Sequence, residues 1–156
     1  FRRVLFRSEF TKLKDLDSEH PIIMTTSNTW GLPIRKPRPD MFGFTLYRKQ
    51  FVNGVYKKSH LPASWYKLRA RIIKLITLRS SFIHELQVEP WGPTSTQDLS
   101  IEEQDKSMDV DQLKLNIEFA KQTSLSPIDL WGGEWWYWRK LKGDDRIWRV
   151  VYEQIK

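Results

Sequence analysis

The chain has 156 residues, a formal charge of +7, no Cys and three His, and 40% of its residues are hydrophobic. This length corresponds to about one domain, and the apolar fraction excludes wholesale disorder. The lack of Cys excludes a disulfide scaffold and a cysteine nucleophile, and the wide spacing of His20, His60 and His84 predicts no metal site; we expect no cofactor.

Residues 1–8 differ from the rest of the chain. They contain no cap, turn residue or periodicity that connects them to the segment beginning at Glu9, and they resemble the in-frame translation of a common sequencing adaptor. We interpret them as a non-native tail; the alternative is a short basic or transit-like stub. Without the three Arg of this tail the chain has 23 basic and 19 acidic residues, and its net charge falls to +4.

We expect the natural chain to extend upstream of Glu9, where a signal or anchor could lie, so the sequence does not predict a localisation. Within the chain, no apolar run approaches the roughly 18 residues of a membrane-spanning helix.

Apolar periodicity predicts short strands alternating with amphipathic helices. In chain order these are the end of a helix at 10–16, a strand at 21–26, a loop at 27–39, a strand at 41–47, a polar turn-rich segment at 51–62, a helix at 63–77, a strand at 81–88, a loop at 90–105, a helix from 109 or 111 to about 123, a strand at 127–136 and a helix at 146–154. Such alternation implies parallel strands with right-handed crossovers, in either a doubly wound sheet or a barrel.

Parallel α/β folds bind their ligands at the carboxyl ends of the strands. Each predicted strand end carries carboxylate, phenol, amide or indole groups: Asn28 and Trp30 after the first strand, Tyr47 at the end of the second, Glu85, Gln87, Glu89 and Trp91 along and after the third, and Trp131, Glu134, Trp135 and Trp136 at the end of the fourth. We expect these side chains to converge on one rim.

Glu85 is the main candidate for a chemical role. A carboxylate inside a buried strand is costly unless it is paired or used, so Glu85 is either a nucleophile or acid, or a structural residue bonded to Arg or Tyr. Strict alternation puts it on one side with Ile83 and Gln87, and puts His84 on the helix side as a packing residue.

The clustered indoles fit flat platforms for sugar rings, although a single Trp is commonly a core residue or an oligomer contact. Glu134 either binds a sugar hydroxyl or is a solvated charge at the rim.

At these residues the sequence resembles the clan of (β/α)8-barrel retaining glycoside hydrolases that includes the cellulase-like families. The resemblance covers residues 9–156 as strands five to eight, and it implies a partial TIM barrel of about four βα units. In that clan, strand seven ends with the nucleophile in a hydrophobic-x-Glu context, matched by Glu85 in the run IHEL. A Tyr at the end of strand six commonly hydrogen-bonds that Glu, matched by Tyr47, and a Trp of strand eight lies beneath the sugar, matched by Trp131, Trp135 or Trp136.

One expected element of the clan is missing. Its general acid/base is a Glu in an Asn-Glu pair at the end of strand four, and this sequence has no such pair. Retaining hydrolysis needs two carboxyls roughly 5 Å apart, and Glu89 is too close to Glu85 along the chain to serve. The resemblance therefore implies part of a hydrolase of O-glycosidic bonds in a polysaccharide or glycoconjugate, with the acid/base upstream and the fragment alone inactive.

Two other functions stay open. A non-catalytic carbohydrate-binding barrel protein would share the Trp cluster without needing Glu85. A nucleic-acid binder would need basic residues beside the indoles, whereas Asp129 and Glu134 flank them here, so we expect no nucleic-acid partner. Four strands of an eight-stranded barrel have two open edges, so we expect the chain to self-associate, aggregate or pack loosely.

Overall fold

The structure is a computed structural model and describes residues 2–26, 31–33 and 38–155, with side chains from Ser8 onward. Its elements in chain order are α1 (Arg2–Leu16), β1 (Ile23–Thr26), β2 (Met41–Leu46), β3 (Lys49–Val52), β4 (Val55–Lys58), α2 (Ala63–Thr77), β5 (Ser80–Gln87), a 3-10 turn (Thr96–Asp98), α3 (Ile101–Asp105), α4 (Val110–Gln122), β6 (Ile128–Trp131), α5 (Gly133–Leu141) and α6 (Arg146–Ile155).

A parallel sheet forms the centre of the fold. Its strands lie in the order β1-β2-β5-β6, and each neighbouring pair is parallel. The predicted α/β class with parallel strands is thereby confirmed. Helices α2 and α4 contact β5 and each other, so both lie on the same face of the sheet. The core beneath them includes Phe42 and Phe44 of β2, Ile83 of β5, Ile73 of α2 and Leu113 of α4, all fully buried.

Both packing helices follow the helical repeat of their apolar residues. In α4, Leu113, Ile117 and Ala120 are three or four residues apart and form its buried stripe. The helix begins after Asp109, whose Oδ1 accepts a hydrogen bond of 2.7 Å from the backbone N–H of Gln112. Asp109 is one of the two predicted caps of this helix, and it satisfies a backbone donor that the first turn leaves free.

The segment predicted as polar and turn-rich at 51–62 contains most of an antiparallel hairpin, β3–β4. Its turn is Asn53-Gly54, with both residues at positive φ, 53° and 81°. Asn-Gly is the pair most favoured in two-residue hairpin turns because both residues tolerate this backbone conformation. The hairpin follows directly from the end of β2, so it stands beside the rim where the strands end.

The last strand is much shorter than the predicted strand at 127–136. Strand β6 ends at Trp131, and the following residues WWYW lie in helix α5. Gly132 causes the change in direction, with φ of +131° and no room for a side chain, because a Cβ there would lie 2.7 Å from the Cβ of Glu89. The predicted strand runs through this turn because the apolar pattern continues across it.

Helix α1 begins at Arg2, whereas the sequence predicted only the final part of a helix, at 10–16. Its Lys14 contacts Asp40 at 2.7 Å, and the same carboxylate accepts a hydrogen bond from the backbone N–H of Ile22, which connects α1 to the starts of β1 and β2. In the part of the chain that the structure describes, no helix combines the length and apolar character needed to cross a bilayer.

Candidate functional site

A bulge in β5 determines which side chains face the site. Phe44 pairs with Ile83, whereas the next residue, Thr45, pairs with Glu85, so His84 is an extra residue in the strand. Ile83 packs in the core beneath the helices, while His84 and Glu85 are half-buried on the opposite face. The predictions that Ile83 shares a side with Glu85 and that His84 faces the helices are wrong, because a bulge interrupts the alternation of sides.

His84 forms a pair on this face that the sequence did not predict. Its Nδ1 lies 3.2 Å from Asp129 Oδ2 on β6, and its ring meets Phe82 edge-on at 5.6 Å. A Cβ on Gly43 would approach the Cβ of His84 to 2.6 Å, so glycine leaves the space for this ring. The available signal was Asp129 itself, a carboxylate within a predicted buried strand, which is the criterion that selected Glu85.

Glu85 and Tyr47 meet where their strands end. The hydroxyl of Tyr47 donates a hydrogen bond of 3.1 Å to Oε2 of Glu85. Burial raises the pKa of Tyr47, and the Glu85 carboxylate and its hydrogen bond raise it further. The phenol therefore stays protonated at neutral pH and acts as a fixed donor that orients the carboxylate. The expected proximity of these two residues is present.

Glu89 and Trp131 form a second pair at the same rim. The indole Nε1 of Trp131, which is 49% exposed, donates a hydrogen bond of 3.0 Å to Oε1 of Glu89. Burial raises the pKa of Glu89, the indole hydrogen bond lowers it, and the charge of nearby Glu134 raises it, with a net increase. Glu134 itself is exposed in the first turn of α5. The carboxylate of Glu89 can accept hydrogen bonds from a polar ligand at this rim.

Trp91 extends the rim on the other side of Tyr47. The two rings meet edge-on, with centroids 5.0 Å apart, and Trp91 is 42% exposed. Beyond it lies a pocket of about 210 Å³ between Glu89 and Thr96, lined by both apolar and hydroxyl side chains. The phenol, the two carboxylates and the exposed indoles thus form one continuous surface: Tyr47, Glu85, Glu89, Trp91 and Trp131.

Gln87 does not belong to this surface, contrary to prediction. It is fully buried, and its Oε1 accepts hydrogen bonds from the backbone N–H groups of Arg48 and Lys49 at 2.8 and 2.9 Å. Its Nε2 donates to the carbonyl oxygens of Lys49 at 2.7 Å and Glu89 at 3.3 Å. The amide is occupied by backbone, so its role is to hold the end of β2 against β5, beside Tyr47.

The Trp cluster after β6 divides into rim and core residues. Trp135 is only 4% exposed, and its Nε1 donates to Oε1 of Gln104 at 2.9 Å, so it has no open face for a sugar. Trp136 is partly buried, with its Nε1 donating to the carbonyl of Val88 at 2.7 Å. Because α5 winds after Gly132, the indoles point in different directions, and Trp131 alone of these three remains about half-exposed at the strand end.

Two predicted binding residues, Asn28 and Trp30, lie outside the described residues. Across the ranges 8–26, 31–33 and 38–155, no three His, Asp or Glu side chains come together as a metal site would require.

The chain was compared with known proteins by family, by sequence and by structure. No protein-family model matches it, and neither does any curated protein or solved structure.

Proposed function

We propose that the chain is part of a retaining glycoside hydrolase with a (β/α)8 barrel, that Glu85 is its nucleophile and that Tyr47 orients this carboxylate. The observation that carries the proposal is the hydrogen bond of 3.1 Å between them at the carboxyl ends of parallel strands. The Glu85 carboxylate would attack the anomeric carbon to form a glycosyl ester, and the protonated phenol would hold the attacking group in position.

The arrangement of helices supports a barrel over a doubly wound sheet. A doubly wound sheet carries helices on both faces, whereas α2 and α4 lie on the same face here. The opposite face carries polar side chains, including Thr45, Glu85 and Asp129, where a barrel has its interior and ligand site. Strands β1 and β6 each have a neighbour on one side only among the described residues, as expected for a partial barrel.

Exposed indoles beside carboxylates favour a carbohydrate as the ligand. Trp91 and Trp131 offer apolar surface next to groups that bind hydroxyls. This combination complements a sugar ring, which has an apolar face and hydroxyl groups around its edge. In this proposal Glu89, with its raised pKa, binds a sugar hydroxyl, and the general acid/base comes from outside this chain. Nucleic acid is disfavoured because Glu85, Glu89 and Glu134 would repel phosphates at the rim.

The nucleophile can be tested without the missing acid. In 2,4-dinitrophenyl 2-deoxy-2-fluoro-β-glycosides the leaving phenolate needs no protonation, so attack by a carboxylate alone forms a stable glycosyl ester. We would incubate the chain with a panel of such glycosides and map adducts by peptide mass spectrometry. The matched controls are Glu85→Gln, which removes the nucleophile, and Glu134→Gln, which removes an exposed rim carboxylate.

We expect an adduct on Glu85, retained in Glu134→Gln and lost in Glu85→Gln. Saccharide binding detected by NMR at Trp91 and Trp131, with no adduct, would instead favour the alternative of a non-catalytic carbohydrate-binding barrel protein. An adduct of equal yield in Glu85→Gln would refute the assignment of the nucleophile.

A further inference from the structure

A second pocket lies between the base of the hairpin β3–β4 and helix α4, on a different surface from the Glu85 rim. It has a volume of about 200 Å³ and is lined by Arg48, Lys58 and side chains of α4, among them Asn116, Glu118 and Phe119. Two cations therefore border one small pocket. Whether they can bind an anion depends on whether carboxylates of the chain already pair with them.

Arg48 has no carboxylate partner among the described residues. Its guanidinium lies 3.7 Å from the ring centroid of Phe119, and its Nη1 donates to the carbonyl of Leu61 at 3.1 Å. The side chain is half-buried, and this burial lowers the pKa of the guanidinium. A desolvated guanidinium held by an aromatic ring is positioned to donate to an anion, because its planar group fits two acceptor oxygens.

Lys58 is held close to a second cation. It stands directly opposite Lys49 in the antiparallel register of the hairpin, and like charges in this arrangement repel each other. Neither Lys takes part in an ion pair within the described part of the chain. An anion bound beside Lys58 in the pocket would offset this repulsion.

The carboxylate in the lining, Glu118, is paired with a lysine outside the pocket. Oε1 of Glu118 accepts a hydrogen bond of 2.8 Å from Lys121, one turn along α4. The remaining polar lining is amide: Gln112 donates to Asn116 at 2.8 Å, and Asn116 donates to the carbonyl of Gln87. The lining thus carries two cations and one carboxylate that is already bonded to Lys121, which leaves a net positive charge, and its other polar groups are amides.

We propose that this pocket binds an oxyanion, a carboxylate or sulfate group, between the guanidinium of Arg48 and the ammonium of Lys58. The anion is either a free inorganic ion or an acidic substituent of a saccharide chain; the recognising chemistry is the same. This site does not depend on the role of Glu85 and stands or falls separately from the proposed hydrolase function.

The experiment titrates the whole chain with sodium sulfate against sodium chloride at equal ionic strength and follows backbone amide NMR shifts. The variants are Lys58→Gln and its matched control Lys57→Gln, which removes the same charge from the next residue of β4, on the opposite side of the strand. We expect saturable shifts at Arg48 and in α4 with sulfate, weakened about tenfold by Lys58→Gln and unchanged by Lys57→Gln.

A parallel titration distinguishes the two sources. Tighter binding of a uronate-bearing oligosaccharide than of sulfate or free glucuronate, with no binding of the neutral oligosaccharide at this pocket, identifies a saccharide substituent; sulfate binding alone identifies a free anion. Equal responses to sulfate and chloride, or equal losses in Lys57→Gln and Lys58→Gln, would overturn the proposal. Arg48→Lys, which keeps the charge but not the planar donor group, provides a second variant and should also weaken sulfate binding.

Discussion

Replacing Gln87 with Leu tests whether this residue holds the rim together or binds a ligand. The substitution keeps the size and burial of the side chain but removes an amide whose atoms bond to the backbone of Arg48 and Lys49. Two N–H groups and the carbonyl of Lys49 lose close partners, and the carbonyl of Glu89 loses a longer bond of 3.3 Å that adds little. At about 1 kcal/mol for each half-buried backbone group, the free energy of unfolding should fall by roughly 3 kcal/mol.

That loss is large for one domain, since total stabilities are about 5–15 kcal/mol. With a urea dependence of about 2 kcal/mol per molar, the unfolding midpoint should fall by roughly 1.5 M. Circular dichroism and Trp fluorescence would follow the transition at two protein concentrations, so that self-association is recognised from a concentration-dependent midpoint. The control is Gln97→Leu, the same replacement at an exposed position of the 3-10 turn.

A change within about 0.5 kcal/mol of the control would refute this reasoning, because surface replacements commonly fall in that range. If Gln87→Leu retained full stability yet lost saccharide binding, the expectation of a substrate-binding amide would be restored.

Three further predictions concern the same rim. Tyr47→Phe should slow formation of the glycosyl ester on Glu85 by about tenfold, since it removes a hydrogen bond to the attacking carboxylate; labelling at the wild-type rate would contradict the orienting role. Because the pKa of Glu89 is raised on folding, the stability that this carboxyl contributes is present below its ordinary pKa of 4.5 and is lost as the pH rises through its folded value. In urea titrations, the free energy of unfolding of Glu89→Gln should therefore increase relative to that of the wild type as the pH rises from acid to neutral. A difference that does not change with pH would contradict the raised pKa of Glu89. Gly132→Ala should lower the free energy of unfolding by about 2–4 kcal/mol, because it adds a Cβ at positive φ only 2.7 Å from a neighbouring Cβ; Gly133→Ala, whose Cβ would meet nothing closer than 4.0 Å, should cost less than about 1 kcal/mol.

The pattern of apolar residues along the chain predicted many of the strands and helices, because the burial of one side of each element decides its secondary structure. Short apolar runs located β1, β2 and β5, and the helical repeat located α2 and α4, since each of these elements packs one side or stripe against the core. The rule that parallel strands end at one edge predicted a common rim for Tyr47 and Glu85, and the family resemblance added the expectation of a hydrogen bond between them.

The identity of the residues at the site depended on contacts between distant segments. The bulge at His84 arises from the pairing of β5 with β2, and it reverses the side on which Ile83 lies. Trp135 and Trp131 are both indoles in one short run, but the turn at Gly132 directs the first into the core and leaves the second at the rim.

The sequence by itself thus determined the α/β class, the parallel strands and a common rim for Tyr47 and Glu85, because composition and periodicity decide which surfaces must be buried. The hydrogen bond between these two residues was an implication of the family resemblance alone. Only the tertiary structure decided that Gln87 bonds to the backbone and that, of the predicted indoles, Trp91 and Trp131 stay exposed whereas Trp135 is buried. It also decided that Arg48, beside the hairpin, has no carboxylate partner among the described residues. The physical reason is that burial and hydrogen bonding of a side chain depend on which other segments surround it, and spacing along the chain carries no record of those neighbours.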